Sequence, residues 1–309
     1  MKNSKLMFDL TNNSTSEPIL AEGVFSAALL QSGTINTFRQ ILNAKDKVKL
    51  GIHGFGDVLQ SSSCNPSDQG AGELTEKEVD VAPIDVYMTL CQRTLEQSFL
   101  SNAMANGSNN AQFLPSDFQA YLGDKLAEKI ASDLEVIAFQ GDTGAGSYPL
   151  AIADGIEKEL GLDSDVIDVA NGATPVDSTN VIDEMKKVYD AIPTALASKP
   201  DLAMYVSSNI AKAYRIALAA ASAEAFYNQK DLEMSFLDVE VIEAYGMSDD
   251  KMIVAQKENL TLMSDLVNDF SDIRIIPQLD LTGKHQIVVS GHFKFKTSYA
   301  IGADIVFYA

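Results

Sequence analysis

Cysteine is scarce in this chain. Cys64 and Cys91 are the two among 309 residues, too few for a disulfide scaffold. Basic residues are outnumbered, 23 Lys and Arg against 43 Asp and Glu, which leaves a formal net charge of −20. A surface of that sign repels phosphates, so the chain is not expected to grip nucleic acid by itself. No apolar run approaches the ~20 residues of a membrane helix. The opening MKNSKLMFDLTNNSTSEP has no apolar core of signal-peptide length. The expectation is a chain made in the cytoplasm that stays there at first, with no membrane partner.

Chemistry-bearing groupings are also missing. The three histidines are His53, His285 and His292, and none has a carboxylate or cysteine at metal-ligand spacing in the sequence. His285 and His292 are seven apart in strand-like sequence, so they are expected on opposite faces. No Ser-His-Asp arrangement, glycine-rich nucleotide motif, basic-aromatic interleaving, repeat or low-complexity segment stands out. No catalytic, cofactor-binding or metal residues are therefore expected, which favours a structural role.

What is present is an ordinary apolar content, 46%, in a chain long enough to bury a large core and divide into two subdomains. The stretch from Leu114 to Glu159 organises the rest. Phe118, Tyr121, Leu122, Leu126, Ile130, Leu134 and Ile137 recur at three- and four-residue steps, one face of a helix. Ser116 followed by Gln119 is a capping-box start, and Gly141 supplies the stop. The spacing predicts a spine helix over 116–139, roughly 36 Å long, lying on the side of something rather than inside it.

Residues 1–17 are polar and read as a flexible arm, and the segment up to Leu42 carries a short helical pattern through Phe25, Leu29 and Leu30. Residues 45–91 alternate instead. Val48, Leu50 and Ile52, then Val79 and Val81, then Ile84, Val86, Met88 and Leu90, predict two strands joined by a polar tip. A hairpin that long must lie on its own body or on another molecule. Helical sequence is expected after Cys91, then a loop and the spine. From Asp154 to Pro175 the chain reads as mixed and turn-rich.

Beyond it lie a helix over Val181–Leu196, a strand over Leu202–Val206, an alanine-rich helix over Ser208–Phe226, and strands over Val239–Tyr245 and Met252–Ala255. Leu260–Phe270 reads as a short helix or irregular turn. Strands are expected over Asp272–Leu279, Gln286–Ser290 and His292–Tyr308. The order of hairpin, long helix, mixed middle and β end gives the class α+β.

The motif GDTGAG, Gly141–Gly146, admits two readings. A phosphate loop fails, since no Lys-Ser/Thr follows and a helix precedes it. The Asp-Thr-Gly-Ala of a homodimeric aspartic protease would make Asp142 one of two carboxylates sharing a proton. The competing reading is a helix cap and tight turn in which three glycines supply positive φ.

The ordered set of pieces resembles a tailed-phage major capsid protein of the type named after phage Hong Kong 97. The residues that carry the resemblance are FQAYLGDKLAEKIASDLEVIAFQGDTGAGSYPLAIADGI, with Gly141-Asp142 and Gly155-Ile156 after the helix. The C-terminal third adds Lys257-Glu258-Asn259-Leu260 and Asp265-Leu266, similar to capsid proteins from phages of Bacteroidetes-type hosts.

The resemblance implies an N-terminal arm and short helix at 1–44, an extended loop over a neighbouring subunit at 45–91, and a peripheral domain with the spine at 92–145. It further implies an axial domain at 146–250, and C-terminal strands at 251–309 that return to the peripheral domain and to part of the axial one. The implied partners are copies of the chain itself as hexamers and pentamers, with portal, scaffold and decoration proteins, and DNA enclosed without specific binding. Scaffold would come from a separate protein or none, no covalent crosslink is expected, and Cys64 and Cys91 are left either as free thiols or as a late disulfide. An encapsulin-like compartment is the alternative within the fold, while the protease centred on Asp142 and a soluble binding module are alternatives outside it.

Overall fold

The computed structural model describes residues 33–55, 61, 62, 64, 72–91, 116–172, 174–221, 234–265, 274–278, 284 and 286–309. The arm, the helical pattern through Phe25, Leu29 and Leu30, and the segment 92–115 lie outside these residues.

The described chain forms two sheets and a separate hairpin. The first sheet holds β1 (Arg39–Leu42), β10 (Leu260–Ser264), β12 (Gln286–Tyr299), β11 (Arg274–Pro277) and β4 (Ala82–Cys91). The second runs β5 (Ile167–Val169), β13 (Val306–Tyr308), β9 (Met252–Gln256), β6 (Leu202–Ser207), β8 (Val239–Ala244) and β7 (Ser235–Phe236). The hairpin pairs β2 (Lys47–Phe55) with β3 (Gly72–Asp80), from Lys47 opposite Asp80 to Phe55 opposite Gly72. Five helices accompany them: α1 (Ser116–Gln140), α2 (Ile156–Leu162), α3 (Val181–Asp190), α4 (Thr194–Ala197) and α5 (Ser208–Ala221).

The hairpin is shorter than the alternation suggested. Strand β4 does not pair with β2; it pairs antiparallel along ten residues of β12, from Gln286 opposite Cys91 to Phe295 opposite Ala82. The reason was visible as a change of phase. Apolar residues are odd-numbered at Val79 and Val81 and even-numbered from Ile84 to Leu90, so the strand cannot keep one face inward through Pro83. The chain bends at Val81, and each half buries its apolar side against a different surface.

Further expectations change. Residues 39–42 form β1, parallel to β10, rather than continuing a helix. Residues 260–264 are a fully buried strand: Leu260, Leu262 and Met263 lie at or below 1% exposure, and burial on both faces erases the alternation that marks a strand. The stretch 286–299 is one strand running through Gly291. The turn-rich stretch after Asp154 contains α2 and β5. The helix expected over Val181–Leu196 stops at Asp190, ahead of Pro193, which stands at the N-cap of α4.

Helix α1 runs one residue past its expected end, and its burial deepens along the described side chains. Lys125, Glu128 and Lys129 are exposed, whereas Leu134, Glu135, Ile137, Ala138 and Phe139 are buried. The C-terminal half enters a core that joins both sheets, meeting Phe293 and Phe295 of the first and Tyr205, Ile253 and Phe307 of the second. A second core covers the other face of the second sheet, where Met204, Val206, Val241 and Val254 meet Val181, Met185 and Val188 of α3 and Ile210 and Tyr214 of α5. Successive residues of β6 thus point alternately into two cores, which is why LAMYV is apolar throughout.

Gly141 and Gly155 act through space, not through backbone sign. None of Gly141, Gly144 and Gly146 has positive φ, contrary to the expected cap. A Cβ on Gly141 would stand 2.1 Å from the Ala153 carbonyl oxygen, and one on Gly155 would stand 2.4 Å from that of Phe139. Gly155 itself has ordinary extended backbone, φ −85°. The two segments are joined by the Gly155 N–H donating to the Gly141 carbonyl at 2.7 Å and the Asp142 N–H donating to that of Leu150 at 2.9 Å. Gly155→Ala is expected to cost about 3 kcal/mol from overpacking. Gly146→Ala, whose added Cβ meets nothing within 4 Å, should stay within about 0.5 kcal/mol. Equal thermal midpoints for the two variants would refute this reading of the turn.

Candidate functional site

The turn after α1 is a clasp of opposite charges. The sequence ADGIEKE brings Asp154 and Lys158 to i,i+4 spacing at the start of α2, and the close approach of Gly141 to Gly155 delivers Asp142 to the same place. Lys158 Nζ donates to Asp142 Oδ1 and to Asp154 Oδ1, both at 2.6 Å. Asp142 Oδ1 also accepts the Gly144 N–H at 2.8 Å, and Asp154 Oδ1 accepts the N–H and Oγ1 of Thr143, each at 2.8 Å.

The lysine beside Asp142, with the Gly144 N–H, holds its carboxyl below the usual range. Burial would raise Asp154, but the bonds from Lys158 and Thr143 outweigh it and bring it from 3.8 to about 2. The two carboxylates in turn raise the Lys158 ammonium. A protease dyad needs one carboxyl that keeps a shared proton near neutrality. Here both carboxylates are held ionised by a lysine between them, an arrangement unlike a proton-sharing pair.

A second charged grouping lies where the hairpin meets the body. Lys296 on β12 is nearly buried, pairs with Glu159 Oε1 at 2.6 Å and donates to the Asp154 carbonyl at 2.6 Å. Lys77 on β3 stands 3.7 Å from Glu159 and 3.4 Å from the centre of the Tyr299 ring. Tyr299 donates its hydroxyl to Asp163 at 2.8 Å. Burial pushes the Lys77 ammonium below the usual lysine range, helped by Lys296 and opposed by Glu159 and Asp163. Burial, with the ionised Asp163 beside it, pushes the Tyr299 hydroxyl up.

These groups line a cleft of about 640 Å³ between the hairpin root, the turn after α1 and the end of β12. Lys77 and Lys296 in it face Glu159, and Asp163 accepts from the Tyr299 hydroxyl and the Asp165 N–H. Beside it, Leu50, Val79 and Val81 of the root pack on Ala44 and Met263. The outer face of the hairpin carries Lys47 and Lys49 opposite Glu76, Glu78 and Asp80. The hairpin is therefore held at its root, and its strands pair only with each other among the described residues.

Of the three histidines, His292 alone has its side chain among the described residues. The His53 side chain and all of His285 lie outside the described residues. His292 Nδ1 lies 2.6 Å from Asp85 Oδ1, a carboxylate brought alongside by the β4–β12 register and invisible to local spacing. Among the described residues no group of three His, Cys, Asp or Glu is placed to hold a metal, and no helix is long and apolar enough to cross a membrane. Cys64 and Cys91 are free and exposed. Cys91 ends β4 in the first sheet, so it does not stand at the hairpin base. Sequence reading missed Lys77, Glu159, Lys296 and Tyr299, which lie between 82 and 222 positions apart from Lys77 onward and meet only through the fold.

No family model matches this chain, and no curated protein matches it in sequence. Solved structures do match it in fold. A chain of the procapsid of satellite phage P4 aligns with TM-score 0.58 over 91% of this chain and 95% of its own, at 13% identity. The capsid of an empty GTA particle aligns with TM-score 0.59 over 91% of this chain and 89% of its own, at 14% identity. A virus-like particle from Pyrococcus furiosus aligns with TM-score 0.53 over 94% of this chain and 97% of its own, at 8% identity. The chain therefore shares the mixed α/β fold of phage capsid proteins, nearly end to end.

The clasp has a pH signature. A carboxylate depressed to about 2 contributes stability that is complete above its unfolded value of 3.8 and is lost as pH falls towards about 2. Asp154→Asn should flatten the loss of stability in that window, as read by denaturant titration at each pH. An unchanged acid limb would show that the clasp is not held by charge.

Proposed function

We propose that this chain is a major capsid protein of the Hong Kong 97 type, which closes with copies of itself into the icosahedral shell around the genome of a tailed double-stranded DNA phage. It acts as a structural protein with no catalytic site. The observation that carries the proposal is the hairpin from Lys47 to Asp80. Among its described residues the apolar packing lies at the root, in a chain whose fold is shared with shell proteins. A two-stranded ribbon is marginal in water, and the outer part of this one gains its packing on a neighbouring copy.

In this reading the first sheet and α1 form the peripheral domain, with α1 as its spine. The second sheet with α3 and α5 forms the axial domain, and β9 and β13 return to it from the C-terminal third. The extended loop is 47–80 instead of 45–91. Copies associate as hexamers and pentamers, with portal and scaffold proteins, and decoration proteins where the shell carries them, as assembly partners in the host cytoplasm. Many weak contacts closed into one object give stability by multivalency while single errors still dissociate. A chain of charge −20 encloses DNA without gripping it.

The likeness to a virus-like particle favours one alternative, an encapsulin-like shell that holds protein. Negative-stain microscopy of the expressed chain tests the proposal. Closed shells, tubes or capsomers are expected, with nucleic acid inside phage-derived particles and protein inside the alternative. Replacing residues 56–71 by Asn-Gly should leave the subunit folded, with an unchanged melting temperature, yet unable to close shells. Normal shells from that variant would remove the hairpin from assembly.

A further inference from the structure

The turn between β7 and β8 has two central residues, Leu237 and Asp238. Leu237 has φ 56°, the left-handed region that glycine or asparagine fills without strain and that a leucine occupies at a cost. In a two-residue hairpin turn with positive φ at the first position, glycine is the favoured residue. The leucine is also 69% exposed, so packing within the subunit does not recover the strain.

The surroundings hold this turn rigidly. Tyr189 on α3 donates its hydroxyl to Asp238 Oδ1 at 2.8 Å, and Tyr214 on α5 donates to the Ser235 carbonyl at 2.7 Å. Phe236 is buried between the two rings, edge-on to each at 6.2 and 6.1 Å. Close by, Lys257 and Glu240 form an ion pair at 2.7 Å. The result is a fixed apolar knob with a polar rim, the layout of an interface element in miniature.

We propose that Leu237 is a contact knob between copies of this chain, seated on a neighbouring subunit in the assembled shell. The inference rests on the shell reading above and adds to it a contact outside the hairpin. A free-standing protein complex buries about 800 Å² per partner, far more than one leucine and its rim provide. The knob can act only where other contacts already hold the partner in place, which singles out a second copy over an independent protein. A strained backbone carrying an exposed leucine is the pattern of a residue retained for a contact beyond its own subunit.

Leu237→Asn tests this, because the two effects have opposite signs. The unassembled subunit should melt about 2 °C higher as the strain is relieved. The concentration needed to form shells should rise about tenfold as the contact is lost. Leu237→Met, strained but still apolar, should assemble like the parent chain. Unchanged assembly of Leu237→Asn beside normal parent shells would overturn the knob and leave the shell reading standing. A parent chain that stays monomeric at every concentration would overturn both.

Discussion

Helix α1 occupies its place because the backbone at its C-terminal end admits other backbone at contact distance. Gly141 and Gly155 lie against each other's segments, and Gly246 lies against the helix itself, where a Cβ would stand 2.1 Å from the Glu135 carbonyl oxygen. These approaches let the helix end sink between the two sheets, with Phe139 at 0% exposure. Everything downstream is positioned from there. The Gly155 side of the contact starts α2, α2 carries Lys158 and Glu159, and those two residues carry the clasp and the hairpin root.

Charge at these places has an organising duty. The buried Glu135 accepts the Thr34 N–H at 3.0 Å and so ties the start of the described chain to α1. Burial raises its pKa despite that bond, so its ionised form detracts from stability near neutral pH. Lys77 likewise is held where burial disfavours its charge. Ion pairs in such settings are weak contributors to stability and better suited to fixing one arrangement among several. Lys77 makes its contacts to Glu159 and Tyr299 where the hairpin meets the body.

The structure separates what must be rigid from what must reach. Two apolar cores share the second sheet, one on each face, and lock α1, α3 and α5 to it. Among the described residues, Val48, Leu50 and Val79 at the hairpin root join a small third cluster. The hairpin's outer face carries exposed ion pairs of Lys47 and Lys49 with Glu76, Glu78 and Asp80, each of small energetic weight.

Local pattern in the chain was enough for α1, β6, β8, β9 and the existence of a hairpin, because helical and alternating periodicities are properties of neighbouring residues. For GDTGAG it offered a protease carboxylate or a positive-φ cap, and the glycines there have no positive φ. It misjudged β10, whose burial on both faces removed the alternation, and it ran β3 and β4 together although their phase change marks the break. The root cleft was out of reach, since Lys77, Glu159, Lys296 and Tyr299 come from three elements that only folding brings together. The glycines were recognised, but the reason for them was not. Whether a glycine serves backbone sign or backbone space depends on what stands opposite its Cα, and no stretch of sequence states what that is.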